Sequence, residues 1–373
     1  MKYCFVLSYC PNPRMMKRAS LARDRFAVSM LCWRRGDESF WGVSGVEGVD
    51  VHTVDIPASS GNPLNRIIPT LQFARMAIRI LRDLQPDIIH VENLDMLIVA
   101  RHYARTAAHR CRIVYEVADI NSLLITHQKS HVKQLAQAIL RSLDRRLSQH
   151  IDLFICTSPR YFDAYYSAFI SRAKLIVMPN MPDLRAFSRY RRKTGSPFTV
   201  GFIGAVRYKE QMKMLIDSAR ESHVDVLFAG TGLDAELQSI CQRESHVKTM
   251  GPYNYQVDIA TLYGMVDCVY SVYDADNPNV KIALPNKLYE AIYCELPIIV
   301  ARGTYLSELV EGWGVGIAVG HTDAKELTGV LCRLAKDVEY YDAFVEKCRA
   351  HKAEIDNAQN NKILSARLAD LLL

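Results

Sequence analysis

Residues 190–204 read Tyr190-Arg191-Arg192-Lys193-Thr194-Gly195-Ser196-Pro197-Phe198-Thr199-Val200-Gly201-Phe202-Ile203-Gly204. The first eight are polar, charged and broken by Gly195 and Pro197, which suits a linker. The next seven form an apolar run closed by a glycine, the pattern of a buried strand entering a tight turn. Beyond this stretch, apolar runs at 224–229, 268–272, 297–301 and 316–319 alternate with longer helical patterns. Before it the same alternation is present, with candidate strands at 3–8, 28–32, 87–91, 112–117, 152–157 and 174–178. Helical patterns at 65–84, 132–149 and 159–171 lie between them. Strands so continuous in Val and Ile are covered on both faces, and their alternation with helices implies parallel, doubly wound sheets. The linker therefore divides two α/β domains, 1–190 and 191–350, and 351–373 reads as a terminal helix packing back on the first. Ligands of open α/β sheets sit beyond the carboxyl ends of the strands, so two such sheets facing each other would enclose a cleft.

The chain has 373 residues, long for one hydrophobic core and comfortable for two. Its 49% apolar and 23% charged residues are ordinary for a globular protein. No run approaches the roughly 18–20 apolar residues of a membrane span. The opening apolar run is too short for a secretory signal and meets Pro11 and Arg14 at once, so it reads as a first buried strand. Ten cysteines show neither a Cys-x-x-Cys pair nor zinc-ligand spacing. Small core thiols in a reducing, cytoplasmic compartment are the expectation, with no disulfide and no structural metal. The net charge of +6 is unevenly placed. Residues 1–190 carry 26 Lys/Arg against 16 Asp/Glu, and the remainder 20 against 24, so the halves stand at +10 and −4. An anionic partner for the first half, a membrane surface or a phosphorylated acceptor, is one reading; an uneven spread of solubility charge is the other. No basic tract or motif calls for nucleic acid.

Several positions carry candidate chemistry. In Asn279-Val280-Lys281-Ile282-Ala283-Leu284-Pro285-Asn286-Lys287-Leu288-Tyr289-Glu290, Pro285 suits the first turn of a helix. The N–H groups of Asn286 and Lys287 would then face a phosphate. Lys287 and Glu290 are three apart and share a face, where the carboxylate could accept both hydroxyls of a ribose. A surface helix with an ordinary Lys–Glu pair fits the same spacing. Arg207 and Lys209 follow the strand-end glycine Gly204, as a planar fork and a point charge for phosphate or as two solvated charges. Gly230-Thr231-Gly232 and Gly251-Pro252-Tyr253 are strand-end turns on the same side of the sheet. In the first half, Asp119 ends a strand, where it is placed to bind a ligand or to cap the next helix. Arg14 at a helix start meets an anionic acceptor or faces water. His90 reads as a core or rim histidine. No Ser–His–Asp or Cys–His set is evident, and no metal-binding Asp-x-Asp stands where one would be needed. The helical patterns 65–84 and 132–149 mix Leu/Ile stripes with Arg66, Arg75, Arg79, Arg82, Lys133, Arg141, Arg145 and Arg146. Such helices bind anionic membranes when the apolar face is free and otherwise pack on the sheet.

The run LPNKLYEAI (284–292) followed by LPIIV (296–300) resembles the donor-binding motif of retaining glycosyltransferases of the GT-B fold, family four (group one). PDIIHVEN (86–93), IVYEVAD (113–119), DLFICTS (152–158), VMPN (177–180), VGFIGAVR (200–207), VLFAGTG (226–232) and VKTMGPYN (247–254) follow the same order, so the resemblance spans nearly the whole chain. It implies two facing Rossmann-like domains, with the second holding a UDP- or GDP-sugar donor as substrate and no further cofactor or metal. On this resemblance Glu290 binds the donor ribose, Asn286 and Lys287 lie at the diphosphate, Arg207 and Lys209 hold the phosphates, and Tyr253 lies near the base. Asp119 and Arg207 carry the catalytic expectation. The chain departs from the pattern twice: Ile282 stands where relatives carry a second Glu, and Ala118 where they carry a His. The implied activity is transfer of a sugar to a lipid-linked or oligosaccharide acceptor in bacterial surface polysaccharide assembly, at the cytoplasmic side of a membrane. The rival readings are a nucleotide-sugar epimerase of the same architecture and a catalytically silent sugar-nucleotide-binding or scaffold protein.

Overall fold

The computed structural model describes residues 1–36, 48–58, 63–126, 130–195, 197–355 and 357–371. The chain divides into two compact units, Met1–Met178 with Ala358–Leu373, and Pro179–Asn357.

The first unit is built on strands β1 (Lys2–Leu7), β2 (Ala27–Arg34), β3 (Val49–Asp55), β4 (Ile88–Glu92), β5 (Arg112–Val117), β6 (Leu153–Cys156) and β7 (Leu175–Val177). They form one sheet in the order β3-β2-β1-β4-β5-β6-β7, every described pairing parallel. Helices α1 (Pro13–Arg23), α2 (Ile67–Leu84), α3 (Leu94–Thr106), α4 (Ser122–Ile125), α5 (His131–Ser148) and α6 (Pro159–Ala164) connect them. Asn12 starts α1, its side chain accepting from Met15 N, with Pro13 in the first turn where a missing N–H costs nothing.

The second unit holds β8 (Thr199–Ile203), β9 (Asp225–Ala229), β10 (Val247–Thr249), β11 (Cys268–Ser271), β12 (Ile298–Ala301) and β13 (Gly316–Val319). These form a parallel sheet in the order β10-β9-β8-β11-β12-β13. Its helices are α7 (Lys209–Ser222), α8 (Ala235–Arg243), α9 (Tyr255–Tyr263), α10 (Pro278–Ile282), α11 (Lys287–Tyr293), α12 (Tyr305–Trp313), α13 (Ala324–Lys336) and α14 (Val338–His351). The last helix, α15 (Ala358–Asp370), returns to the first unit, where Leu364 and Leu368 join the core formed with Met15, Ala19 and Ala22 of α1. Each unit is thus a doubly wound, Rossmann-like domain.

Two strands escape the sequence pattern, β3 and β10. Both are edge strands, and an edge strand lacks the continuous apolar run that marks a covered one. The passage between units also lies earlier than the polar run 190–197. Phe187 packs edge-on against Tyr263 and Tyr293, and Tyr190 donates to the Cys294 carbonyl at 2.7 Å, so 179–190 belongs to the second core. Within the polar run, Lys193 binds Asp267 at 2.5 Å; Ser196 lies outside the described residues. Helix α11 begins at Lys287 with Asn286 as its cap, two residues past the expected start at Pro285.

Candidate functional site

In each sheet the chain winds outward from a first strand in one direction and then in the other. The reversal falls between β8 and β11 in the second unit and between β1 and β4 in the first. A doubly wound sheet opens a crevice at that point, beyond the strands' carboxyl ends.

In the second unit the crevice is floored by glycine. Gly204, just past β8, has φ 140° and donates its N–H to the Ala229 carbonyl at 2.7 Å; Gly230, past β9, has φ 137° and donates to the Gly251 carbonyl at 2.7 Å. A Cβ on Gly230 would lie 2.0 Å from the Gly204 carbonyl oxygen, so the two turns can touch only because Gly230 carries no side chain. Above Gly204 stands Lys287. An ideal Cβ on Gly204 would be 2.8 Å from the Lys287 ammonium. Lys287 is only 7% exposed. Its Nζ donates to the Tyr273 hydroxyl at 3.0 Å and lies 4.6 Å from the Phe202 ring centroid. Among the described residues it has no carboxylate partner. A buried cation without an anion is costly unless something outside the chain neutralises it.

Glu290, one turn further along α11, is 2% exposed. Its Oε1 accepts from the Tyr255 hydroxyl at 2.7 Å and from Asn286 Nδ2 at 2.9 Å, and its Oε2 from the Tyr263 hydroxyl at 2.6 Å. Burial, and then the neighbouring Glu290 charge, push both tyrosine pKa values well up, so the hydroxyls stay donors. The Tyr253 hydroxyl is raised in the same way, first by burial and then by Glu290. Lys287 and Glu290 are therefore not a surface ion pair. They turn into the fold toward different partners, the lysine to Tyr273 and Phe202 and the carboxylate to Tyr255, Tyr263 and Asn286.

The other expected phosphate ligands diverge. Arg207 is exposed and, among the described residues, makes no hydrogen bond or ion pair. Lys209 is engaged by Asp234, at 3.0 Å, and by Glu236 at the start of α8. Its charge is satisfied within the chain. Tyr273, Phe202, Tyr255 and Tyr263 have no counterpart among the residues expected from sequence; strand-end position was the available signal for Tyr273, and α9 following the Tyr253 turn for Tyr255.

The crevice of the first unit is filled by its own charges. The Arg14 side chain is 12% exposed and bonded to Glu92, with Glu116 3.3 Å away; Arg18 reaches Glu116 at 3.2 Å, and Tyr9 donates to Glu92. His90 Nε2 lies 3.2 Å from Glu116, while its Nδ1 is 2.9 Å from the Tyr3 hydroxyl. Burial alone would push the Glu116 carboxyl up, but Arg18, His90 and Arg14 outweigh it and hold it well below the usual carboxylate range. Arg14 therefore neither faces water nor remains open to an anionic acceptor. Asp119 is exposed and accepts from the Tyr161 hydroxyl at 3.2 Å. It does not cap α4; Asn121 does, accepting from Leu123 N at 3.0 Å. An Asp-x-Asp that the sequence reading set aside, Asp274-Ala275-Asp276, meets His321 among the described residues, the three presenting ligand atoms within 4.8 Å of one another. His321 Nε2 lies 3.5 Å from Asp274 and 3.6 Å from Asp276.

Known proteins place this architecture. The glycosyl transferase 4-like domain matches residues 15–181, and the glycosyl transferases group 1 domain matches residues 197–337. The chain belongs to the group 1 glycosyltransferases of GT-B fold, and it is a transferase. It is 25% identical over 353 residues to the succinoglycan biosynthesis protein ExoL of Rhizobium meliloti (strain 1021), covering 89% of this chain and 84% of that protein. In fold it is similar to the sucrose-phosphate synthase of Thermosynechococcus elongatus, with TM-score 0.73, 15% identity, and 100% and 99% of the two chains covered. Anabaena HepE in complex with UDP-glucose is also similar, with TM-score 0.72, 19% identity, and 99% and 100% covered.

Proposed function

We propose that the protein is a retaining glycosyltransferase that binds a UDP- or GDP-sugar in the second unit and passes the sugar to a lipid-linked or oligosaccharide acceptor in surface polysaccharide synthesis. The observation that carries the donor site is the contrast between the two crevices. The first is neutralised from within by Arg14, Arg18, Glu92 and Glu116, whereas the second holds Lys287 buried without a carboxylate. A donor diphosphate supplies the missing charge, with the glycine turn at Gly204 allowing the backbone close to it. Arg207 adds a planar fork from the loop that follows. Glu290, whose Oε2 accepts from the Tyr263 hydroxyl, is proposed to receive a ribose hydroxyl as well. The relation to ExoL supports the polysaccharide pathway, and the HepE complex supports a uridine nucleotide.

In the reaction the acceptor oxygen attacks the anomeric carbon on the face from which the diphosphate departs. The bond from that carbon to the phosphate oxygen breaks, the new glycosidic bond forms on the same face, and the acceptor proton moves to the departing diphosphate. Lys287 and Arg207 offset the charge that develops there. Asp119, at the strand ends of the first unit, is proposed to orient hydroxyl groups of the acceptor. A thermal-shift panel of UDP-, GDP-, ADP- and CMP-sugars, followed by NMR of the product's anomeric configuration, tests the reading. Stabilisation by a UDP- or GDP-sugar and an unchanged configuration are expected. An inverted anomer, or no stabilisation by any nucleotide sugar, refutes it.

A further inference from the structure

Helix α5 turns an apolar stripe outward while Leu140, Leu143 and Leu147 are half-buried. The side chains it buries are polar, Gln137, Asp144 and Ser148. The side chains it turns outward are apolar: Val132, Leu135 and Ile139 are 78%, 64% and 59% exposed. At spacings of three and four these share one stripe, and Arg146 continues it two turns beyond Ile139. The helix cannot roll to hide the stripe. Gln137 Nε2 donates to the carbonyls of Leu123 and Thr126 at 2.6 and 2.8 Å, and Arg141 Nε to that of Leu124 at 2.8 Å. Rotation would break all three bonds and leave buried carbonyls unpaired.

The neighbouring helices extend the same surface. α2 packs on α3, and α3 on α5. α2 buries Phe73, Ala77, Ile78 and Leu81, and its outward stripe runs Ile68, Leu71, Arg75, Arg79, Arg82, apolar in the first turns and basic in the last. α3 adds exposed Ile98 and Arg105. The three helices carry nine Lys/Arg against three Asp, one of which, Asp144, is buried. Single exposed apolar residues are ordinary, but apolar stripes on adjacent helices mark a docking surface. In the second unit the exposed Met250, Val257 and Val338 lie on separate elements.

We propose that the α2–α3–α5 layer docks on an anionic phospholipid bilayer, with Ile68, Leu71, Leu135 and Ile139 entering the boundary of headgroups and acyl chains and the arginines meeting lipid phosphates. Charge selects this occupant. A second copy of the chain would bring a like set of cations against the first, whereas an anionic bilayer offers diffuse negative charge over an apolar interior. The inference stands on this surface alone and does not depend on the donor reading.

The test sediments the full chain with vesicles of phosphatidylcholine, with and without phosphatidylglycerol, at about 0.05 M and about 0.5 M salt. Wild type should favour anionic vesicles by roughly ten-fold or more at low salt and lose most of that preference at high salt. The Val132→Ser, Leu135→Ser, Ile139→Ser triple variant should bind at least roughly ten-fold more weakly to anionic vesicles, while its melting temperature is unchanged because the side chains are exposed. The Arg75→Gln, Arg79→Gln, Arg82→Gln variant should lose the anionic preference. UDP-sugar binding, measured on the same samples, should survive in both, so failure of the donor reading and failure of membrane docking are told apart. The proposal is overturned if wild type binds both vesicle types equally or neither, or if both variants bind as wild type does. It is also overturned if wild type is a dimer that the serine variant dissociates, since the layer would then be a subunit interface.

Discussion

Replacing Lys287 with Met separates a ligand-binding charge from a structural one. In the free protein Lys287 is 7% exposed, and among the described residues its ammonium bonds to the Tyr273 hydroxyl and lies over the Phe202 ring. Methionine fills a similar volume and removes a buried charge that no carboxylate offsets. Removing the cation–π interaction with Phe202 costs about 1 kcal/mol. The desolvation relieved is larger, several kcal/mol for a buried ion, so the variant without ligand should be no less stable than wild type. With the donor present the balance differs. A charge-assisted bond from ammonium to diphosphate contributes about 2–3 kcal/mol, so Kd for the nucleotide sugar should rise roughly 30- to 150-fold. At a ligand concentration 100 times the wild-type Kd, the donor stabilises wild type by about 2.7 kcal/mol. A variant bound 100-fold more weakly gains only about 0.4 kcal/mol under those conditions. Chemical denaturation with and without nucleotide sugar, alongside calorimetric titration, reads both quantities. An unchanged Kd refutes the assignment. So does a loss of several kcal/mol in the free protein with unchanged Kd, which would make Lys287 a packing residue.

Glu290→Gln keeps the shape of the side chain but puts an amide where Oε1 or Oε2 now accepts from Tyr255, Tyr263 and Asn286; kcat/KM should fall roughly ten-fold or more, and an unaltered value in a folded variant would remove Glu290 from donor binding. Arg207→Lys retains the charge and loses the fork, so turnover should drop by about ten-fold with little change in melting temperature; full activity would mark Arg207 as a surface charge. Burial pushes the Asp144 carboxyl up to about 6, with the hydroxyls of Tyr165, Ser148 and Tyr115 offsetting part of the rise. The folded state therefore holds a proton that the unfolded chain, with a pKa of about 3.9, has released, and stability falls as pH rises from about 4 through about 6. Asp144→Asn should stabilise the protein by up to about 3 kcal/mol at pH near 7 and by nothing at pH near 4 in paired denaturation curves; an equal effect at both would show that the carboxyl does not titrate there.

How far the sequence reaches depends on whether a feature is local. β5 was legible to the residue because Arg112–Val117 is covered on both faces and nearly every position must be apolar. β3 and β10, at sheet edges, carry no such demand. The spacing of Lys287 and Glu290 correctly put both on one helix, but the partners that decide their roles lie elsewhere in the chain. Tyr273 is 14 residues from Lys287, and Tyr255 is 35 from Glu290. Arg14 finds Glu92 across 78 residues, and no periodicity encodes that pairing. Helix α5 was legible as amphipathic, yet amphipathicity names two faces without saying which is inward; the bonds of Gln137 and Arg141 to the preceding turn decide it.

Net charge misleads most where it looks most informative. The +10 of residues 1–190 points to an anion in the first half, and the −4 of the remainder points away from one in the second. The arrangement inside the crevices runs the other way. Arg14 and Arg18, at the crevice of the basic half, are committed to Glu92 and Glu116, and the one cation found buried without an acid, among the described residues of the two crevices, stands in the acidic half. A net count sums charges that touch water with charges that do not, although a buried charge interacts through a far lower dielectric. On the proposed reading, Lys287 alone therefore outweighs the acid surplus of its half in drawing a diphosphate. Six charges of the surplus in the basic half, nine Lys/Arg less three Asp, lie on α2, α3 and α5, where screening at the surface leaves only a diffuse attraction. That attraction fits an extended anionic surface, so the two proposals place the sugar nucleotide and the membrane on different units of one chain.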